Sequence, residues 1–214
     1  TAPLVSWASA WRIIITDDIL DNVDATIDRY LGVETVGGGP AHWTHKSSCQ
    51  RVCRSAESID WTGLVRDVRD QIERNWNGKL SRGEENWRAQ KQLRLADRPS
   101  GTEVPLERAI VRVTDGSWFN QVPTCSGVNT RDYLRNSVDL GRLDGDQLEL
   151  IELKTTSDNP LHAGIEIVKY GLLYCFSRKN LRGLGYTQEQ NPLLFGVRRV
   201  ELEVLAPADF YSTC

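Results

Sequence analysis

The stretch SVDLGRLDGDQLELIELKTT, residues 137–156, decides how this chain is read. Two runs with strand-like sequence flank an Asp-Gly pair, a strong short-range hairpin signal. Yet Asp139, Glu152 and Lys154 stand where a half-buried strand pair would carry Val or Leu. With Asp144 and Gly145 as the two turn residues, Leu143 faces Asp146 and Asp139 faces Leu150. The side-chain period of two then sets Asp139, Glu152 and Lys154 on one face, and Val138, Leu140, Ile151 and Leu153 on the other, where they suit packing under a helix. A one-residue change of register would send Asp139 to the wrong face.

Carboxylates held a few ångströms apart repel unless a proton or a cation lies between them. Hard oxygen ligands completed by water favour magnesium or manganese over zinc. Such an ion lowers the pKa of bound water and neutralises charge on a phosphoryl oxygen. Lys154, on the same face, would orient or help deprotonate the attacking water and stabilise the pentacoordinate phosphorus. The chemistry expected of this hairpin is phosphodiester hydrolysis.

Outward from the hairpin, TEVPLERAIVRV reads as a short helix, WFNQV as a strand, AGIEIVKYGLLYCFSR as a helix and LFGVRRVELEVLA as a last strand. The expected class is α/β, in the order α-β-β-β-α-β. DRPSG at 97–101 marks the boundary with a mainly helical region, which divides the chain into 1–98 and 99–214. Within the first part, Thr16 is a candidate cap for a helix carrying Ile19, Val23, Ile27 and Leu31 at helical spacing, and GVETVGGGP ends it. Trp61, Val65, Val68, Ile72 and Trp76 form one apolar stripe of a second helix. ENWRAQKQLRLAD reads as a third helix, and the tryptophans read as packing residues.

The spacing of Asp139 and Glu152-Leu153-Lys154 resembles the PD-(D/E)XK nuclease superfamily, the restriction-endonuclease-like fold. The stretch VDLGRLDGDQLELIELKTTSDNPLHAGIEIVKYGLLY looks like the version found in uncharacterised bacterial members. Asp139 matches the first metal-binding acid, Glu152 the second and Lys154 the catalytic lysine, while Val138 stands where the motif's proline is often found. Glu107 in PLERAI resembles the acid that many members carry on the helix before the first core strand, within reach of the metal. Glu166 and Tyr170 in EIVKY resemble the QxxxY signature, with Glu in place of Gln. The resemblance covers roughly residues 99–207. It implies a Mg²⁺- or Mn²⁺-dependent nuclease with DNA favoured over RNA, in a family where a second subunit often completes the active surface and a homodimer is one arrangement.

Composition bounds these expectations. The 214 residues carry a net charge of −3, so no global positive field draws the protein onto nucleic acid, although a local cleft can still be basic. The five cysteines are odd in number and irregularly spaced, which gives no disulfide framework and favours a reducing compartment. No apolar run approaches a membrane span, so a cytoplasmic protein without a membrane partner is expected. Arginines 66, 69, 74, 82, 88 and 94 form a candidate phosphate face, but acids alternate with several of them. Arg178, Lys179 and Arg182 form another candidate. His42, His45, Cys49 and Cys53 have helix-compatible spacing that matches no usual zinc pattern. Asn120 or Gln121 is a candidate to face the site by alternation, and Ser157, Asp158 and His162 follow the lysine strand. Two other readings compete with a nuclease: a binding or assembly module that has lost cleavage, and a hydrolase of a small phosphorylated substrate.

Overall fold

The structure, a computed structural model, describes residues 18–35, 41–81, 86–93, 102–114, 116–125, 128, 136–155 and 159–212. Thr16, Arg82, Arg94, Ser157, Asp158 and the segment 97–101 lie outside them. The chain is a mixed α/β protein whose described strands form one four-stranded sheet.

Three helices come first: α1 (Val23–Leu31), α2 (Lys46–Val52) and α3 (Trp61–Asn75). Val23, Ile27 and Leu31 are buried, as their spacing requires, while Ile19, expected on the same helix, is buried ahead of it, before Asn22 at φ 59°. Gly32, at φ 63°, ends α1 by returning its N–H to the carbonyls of Arg29 and Asp28, the left-handed stop that glycine adopts without a Cβ penalty. Asp60 caps α3 by accepting from the Gly63 N–H at 2.8 Å. The buried stripe of α3 is Leu64, Val68 and Ile72, whereas Trp61 and Val65 each remain 38% exposed. The expected stripe is therefore rotated toward Leu64, the residue that shares one helix face with Val68 and Ile72.

The expected third helix over residues 85–97 does not form in its described part, 86–93. Trp87 has φ 55° and is buried, its indole donating to Ser177 Oγ at 2.9 Å. The backbone beyond it is taken by the first strand: the Asn120 N–H donates to the Gln90 carbonyl, and the Asn120 amide bonds Gln92 through both its N–H and its carbonyl. These tertiary partners replace the intrahelical bonds that local propensity favours.

The remaining elements are α4 (Glu103–Val113), β1 (Trp118–Pro123), β2 (Ser137–Asp144), β3 (Gln147–Leu153), α5 (Pro160–Lys179), the short α6 (Leu181–Leu184) and β4 (Arg199–Leu205). The strands lie in sequence order, with β1–β2 and β2–β3 antiparallel and β3–β4 parallel. On one face Val111 of α4 packs with Leu140, Ile151 and Leu153. On the other, Leu148 and Leu150 meet the core that includes α5 and the first three helices. Sandwiched in this way, α5 is apolar nearly all round and buries residues on every side. Asn159 caps it by accepting from the Leu161 and His162 N–H groups, and Pro160 occupies the first turn.

Candidate active site

The hairpin places its charges differently from the simplest reading. Asp144 pairs with Gln147 and Leu140 with Ile151, so the two turn residues are Gly145 and Asp146. Glycine takes the first turn position at φ 61°, the Gly-first alternative to an Asp-Gly turn. The pairing is shifted by two residues, which keeps Leu140, Ile151 and Leu153 together under α4, whereas Val138, expected with them, packs in the larger core instead. Continued one step, the ladder sets Asp139 directly opposite Glu152 instead of Leu150. The carboxylates that sequence placed on one face are thus cross-strand neighbours.

The Leu153 N–H donates to Asp139 Oδ2 at 3.0 Å. Lys154 Nζ lies 2.6 Å from Glu152 Oε1 and 3.2 Å from Glu166 Oε2, so the α5 carboxylate closes onto the strand lysine. His162 Nδ1 is 3.4 Å from the same Glu166 oxygen. Glu107, from α4, accepts a hydrogen bond from Gln121 Nε2 at 2.7 Å. Glu107, Glu152 and Lys154 are buried, as is Tyr170. Glu152 Oε2 is buried without a hydrogen-bond partner, an expensive state for a carboxylate oxygen.

Burial pushes Glu107 up to about 7, with the Gln121 hydrogen bond opposing and the charge of Asp139 adding to the rise. Burial also raises Asp139, against the Leu153 N–H and Lys154. Glu152 is raised by burial and by the neighbouring Asp139 and Glu166, with Lys154 opposing. Like charges sharing a dry site favour retention of a proton between them. Burial works against the charge on Lys154, but Glu152, Glu166 and Asp139 outweigh it and hold the ammonium above its ordinary value. Burial likewise opposes ionisation of Glu166, yet Lys154, His162 and Lys169 keep it below the usual carboxylate range. Burial raises Tyr170, helped by Glu152, Glu166 and Asp139. In this arrangement Lys154 is consequently held as an ammonium.

Gln121 reaches the site and Asn120 does not. Asn120 pairs with Leu140 and spends its side chain on Gln92, whereas Gln121 stands across from Asp139 with φ 54° and reaches Glu107. A non-glycine residue in the left-handed region costs on the order of 1–3 kcal/mol and persists where its surroundings hold it. Here Gln90 Nε2 donates to the Gln121 carbonyl at 2.8 Å.

Glu166 and Tyr170 also line a cleft of about 720 Å³ whose other walls include Asp18, Asp21, Asp24, Asp28 and His42. The described members of the candidate basic faces do not line it. Arg66 and Arg69 pair with Asp67 and Asp70, Arg74 donates to Gln71, and Lys179 pairs with Glu73. The histidine and cysteine run is likewise divided: His42 meets Asp28, Cys49 donates to the Trp43 carbonyl, and Cys53 is disulfide-bonded, a pairing the irregular cysteine spacing did not announce.

Among the described residues, the group of three carboxylates with ligand atoms within 4.8 Å of one another is Glu149, Glu201 and Glu203. It lies on the opposite face of β3 from Glu152, and Arg142 approaches Glu149 at 3.3 Å. Burial holds Glu203 above the ordinary carboxylate value, with Glu149 and Glu201 adding to the rise. This cluster depends on the parallel register Glu149↔Glu201 and Ile151↔Glu203, which no local sequence pattern announces. No helix among the described residues is long and apolar enough to cross a membrane. Comparison with family models, with curated proteins and with solved structures found no match for this chain.

Proposed function

We propose that this protein is a metal-dependent phosphodiesterase of restriction-endonuclease-like architecture acting on nucleic acid, with DNA favoured over RNA. The observation that carries the reading is the convergence of Asp139, Glu152 and Lys154, with Glu152 Oε2 buried and unpartnered. The donor set suits Mg²⁺ or Mn²⁺: Asp139 and Glu152 are the ligands, with Glu107 as the further acid that Gln121 positions. When bound, the ion supplies charge neutralisation at a phosphoryl oxygen and a more acidic water. Lys154, held as an ammonium by Glu152 and Glu166, stabilises negative charge growing on the phosphorus oxygens. Glu166 orients that ammonium, and His162 buttresses Glu166.

A hydrolase of a small phosphorylated substrate is the second reading, favoured by the four aspartates that wall the cleft beside Glu166. Such a wall repels a long polyanion more than a compact one. The deciding experiment is Mg²⁺- and Mn²⁺-dependent cleavage of single- and double-stranded DNA and RNA and of small phosphodiesters. Wild type is compared with Lys154→Ala and Asp139→Ala. Cleavage of polymers that requires metal and disappears in both variants supports the first reading. Cleavage confined to small esters supports the second. A folded wild type that cuts nothing overturns both in favour of a binding module.

A further inference from the structure

We propose that the protein self-associates through β4, two copies pairing antiparallel, edge to edge, so that their sheets become one. β4 ends the sheet: its seven residues pair with β3 on one side, and no described residue pairs with the other. The Lys154 N–H donates to the Leu205 carbonyl at 2.9 Å, so the backbone groups of Leu205, and by alternation those of Glu203, Glu201 and Arg199, point toward β3. Those of Val200, Leu202 and Val204 point outward. Tyr211, from the turn Ala208–Ser212 that follows, donates its hydroxyl to the Val204 carbonyl. The N–H and carbonyl groups of Val200 and Leu202 meet no partner among the described residues.

A strand edge is commonly protected by a proline, a bulge, an inward-pointing charge or a covering segment. The sequence RVELEVL has no proline, and its pairing with β3 is unbroken. Its side chains on the α5 side, Val200, Leu202 and Val204, are apolar, with Leu202 lying over Gly171 yet 40% exposed. The open edge is therefore flat, apolar on one face and ready to accept a strand.

The open groups select the register. In an antiparallel pair, residues at a hydrogen-bonded position exchange both bonds. A twofold pairing centred on Glu201 sets Val200 against the partner's Leu202 and Leu202 against the partner's Val200, so every outward group of these residues is satisfied. Centring on Leu202 instead needs the Val204 carbonyl that Tyr211 occupies and sets Glu201 against the partner's Glu203. Centring on Val200 needs the Arg198 N–H, which is spent on the Asp146 carbonyl at 2.7 Å. With Glu201 on the axis, Arg199 stands across from the partner's Glu203, and Glu203 from the partner's Arg199. These opposite-charge pairs flank and outnumber the one like-charge contact, Glu201 with the partner's Glu201. Such an interface is isologous, the commonest symmetry of soluble oligomers. Association of this kind goes beyond the phosphodiesterase reading and holds whether or not the protein cleaves.

Sedimentation velocity of the full chain from low to high micromolar concentration tests the pairing, with wild type expected to pass from monomer to dimer. Val200→Pro removes an N–H that points away from β3, where an edge strand tolerates proline. It is expected to weaken association by at least about tenfold while leaving the far-ultraviolet circular dichroism unchanged. Arg199→Glu and Glu203→Arg each set like charges across the interface and are expected to be monomeric alone. Mixed, they restore opposite charges at both positions and are expected to form a heterodimer, which reads the register directly. A wild type that stays monomeric throughout that range overturns the self-pairing and leaves the edge to a strand of another protein. A dimer unaffected by Val200→Pro, or charge variants that fail to pair on mixing, overturns it as well.

Discussion

The two acidic groups centred on β3 lie on opposite faces of the sheet and differ in how their charge is answered. Asp139 and Glu152 face α5, deep enough that burial raises both, and their counter-charge, Lys154, sits two residues along the same strand. Glu149, Glu201 and Glu203 face the other way, become progressively more exposed toward β4, and are approached from the side by the half-exposed Arg142. Close spacing of carboxylates is common to both. What distinguishes the first is desolvation together with an oxygen, Glu152 Oε2, that the described protein leaves unsatisfied. In the second group water reaches Glu201 and Glu203, while the buried Glu149 is answered by Arg142.

The largest test of that contrast removes each positive partner. Lys154→Met is expected to lower cleavage by on the order of 10²–10³ and to cost about 3–5 kcal/mol of stability at alkaline pH, because it strands a buried charge. Arg142→Met is expected to cost no more than about 1 kcal/mol. Steady-state cleavage and urea unfolding measure both, and equal effects at the two sites would remove the distinction drawn here.

Metal response sharpens it next. At a Mg²⁺ concentration about tenfold above the dissociation constant, wild type should gain about 1.4 kcal/mol of stability. Glu152→Gln should abolish that gain, and Glu201→Gln should retain it. Thermal unfolding with and without the ion reads the result; loss of the gain in Glu201→Gln instead would move the ion to the other cluster.

The pH dependence is a smaller effect with a definite sign. Glu107 rises from the ordinary 4.5 to about 7 in the folded protein. Between those values the folded state binds more protons than the unfolded one. Its contribution is therefore fully present below pH 4.5 and is lost as pH rises through 7. Urea midpoints from pH 5 to pH 8 should fall less in Glu107→Gln than in wild type, without metal; parallel profiles would show that Glu107 does not titrate there. Smallest of all, Glu201→Gln should change stability in the absence of metal by less than about 0.5 kcal/mol, as measured by the same unfolding assay.

Much of the site is legible in the linear chain because its geometry follows from local periodicity. Alternation alone brings Asp139, Glu152 and Lys154 to one face, and a turn that shifts the register by two leaves that result intact. Glu166 and Tyr170, four apart on α5, share a helix face for the same kind of reason. Leu140, Ile151 and Leu153 pack under α4 as their alternation requires.

Only the tertiary structure decided the rest, since it depends on what meets across long sequence separations. Asn120 and Gln92 turn an apparently helical run into an irregular segment along β1. Gln121 acquires its place because its backbone leaves the ladder opposite Asp139 and its amide finds Glu107 on another element. The Glu149 cluster waits on parallel pairing to β4. His42 reads in sequence as a weak zinc candidate, and the carboxylate that orients it, Asp28, lies one helix earlier. Periodicity determines which way a side chain points from its own element. Which neighbour desolvates it, pairs with it or leaves it unpaired is fixed only when the elements pack.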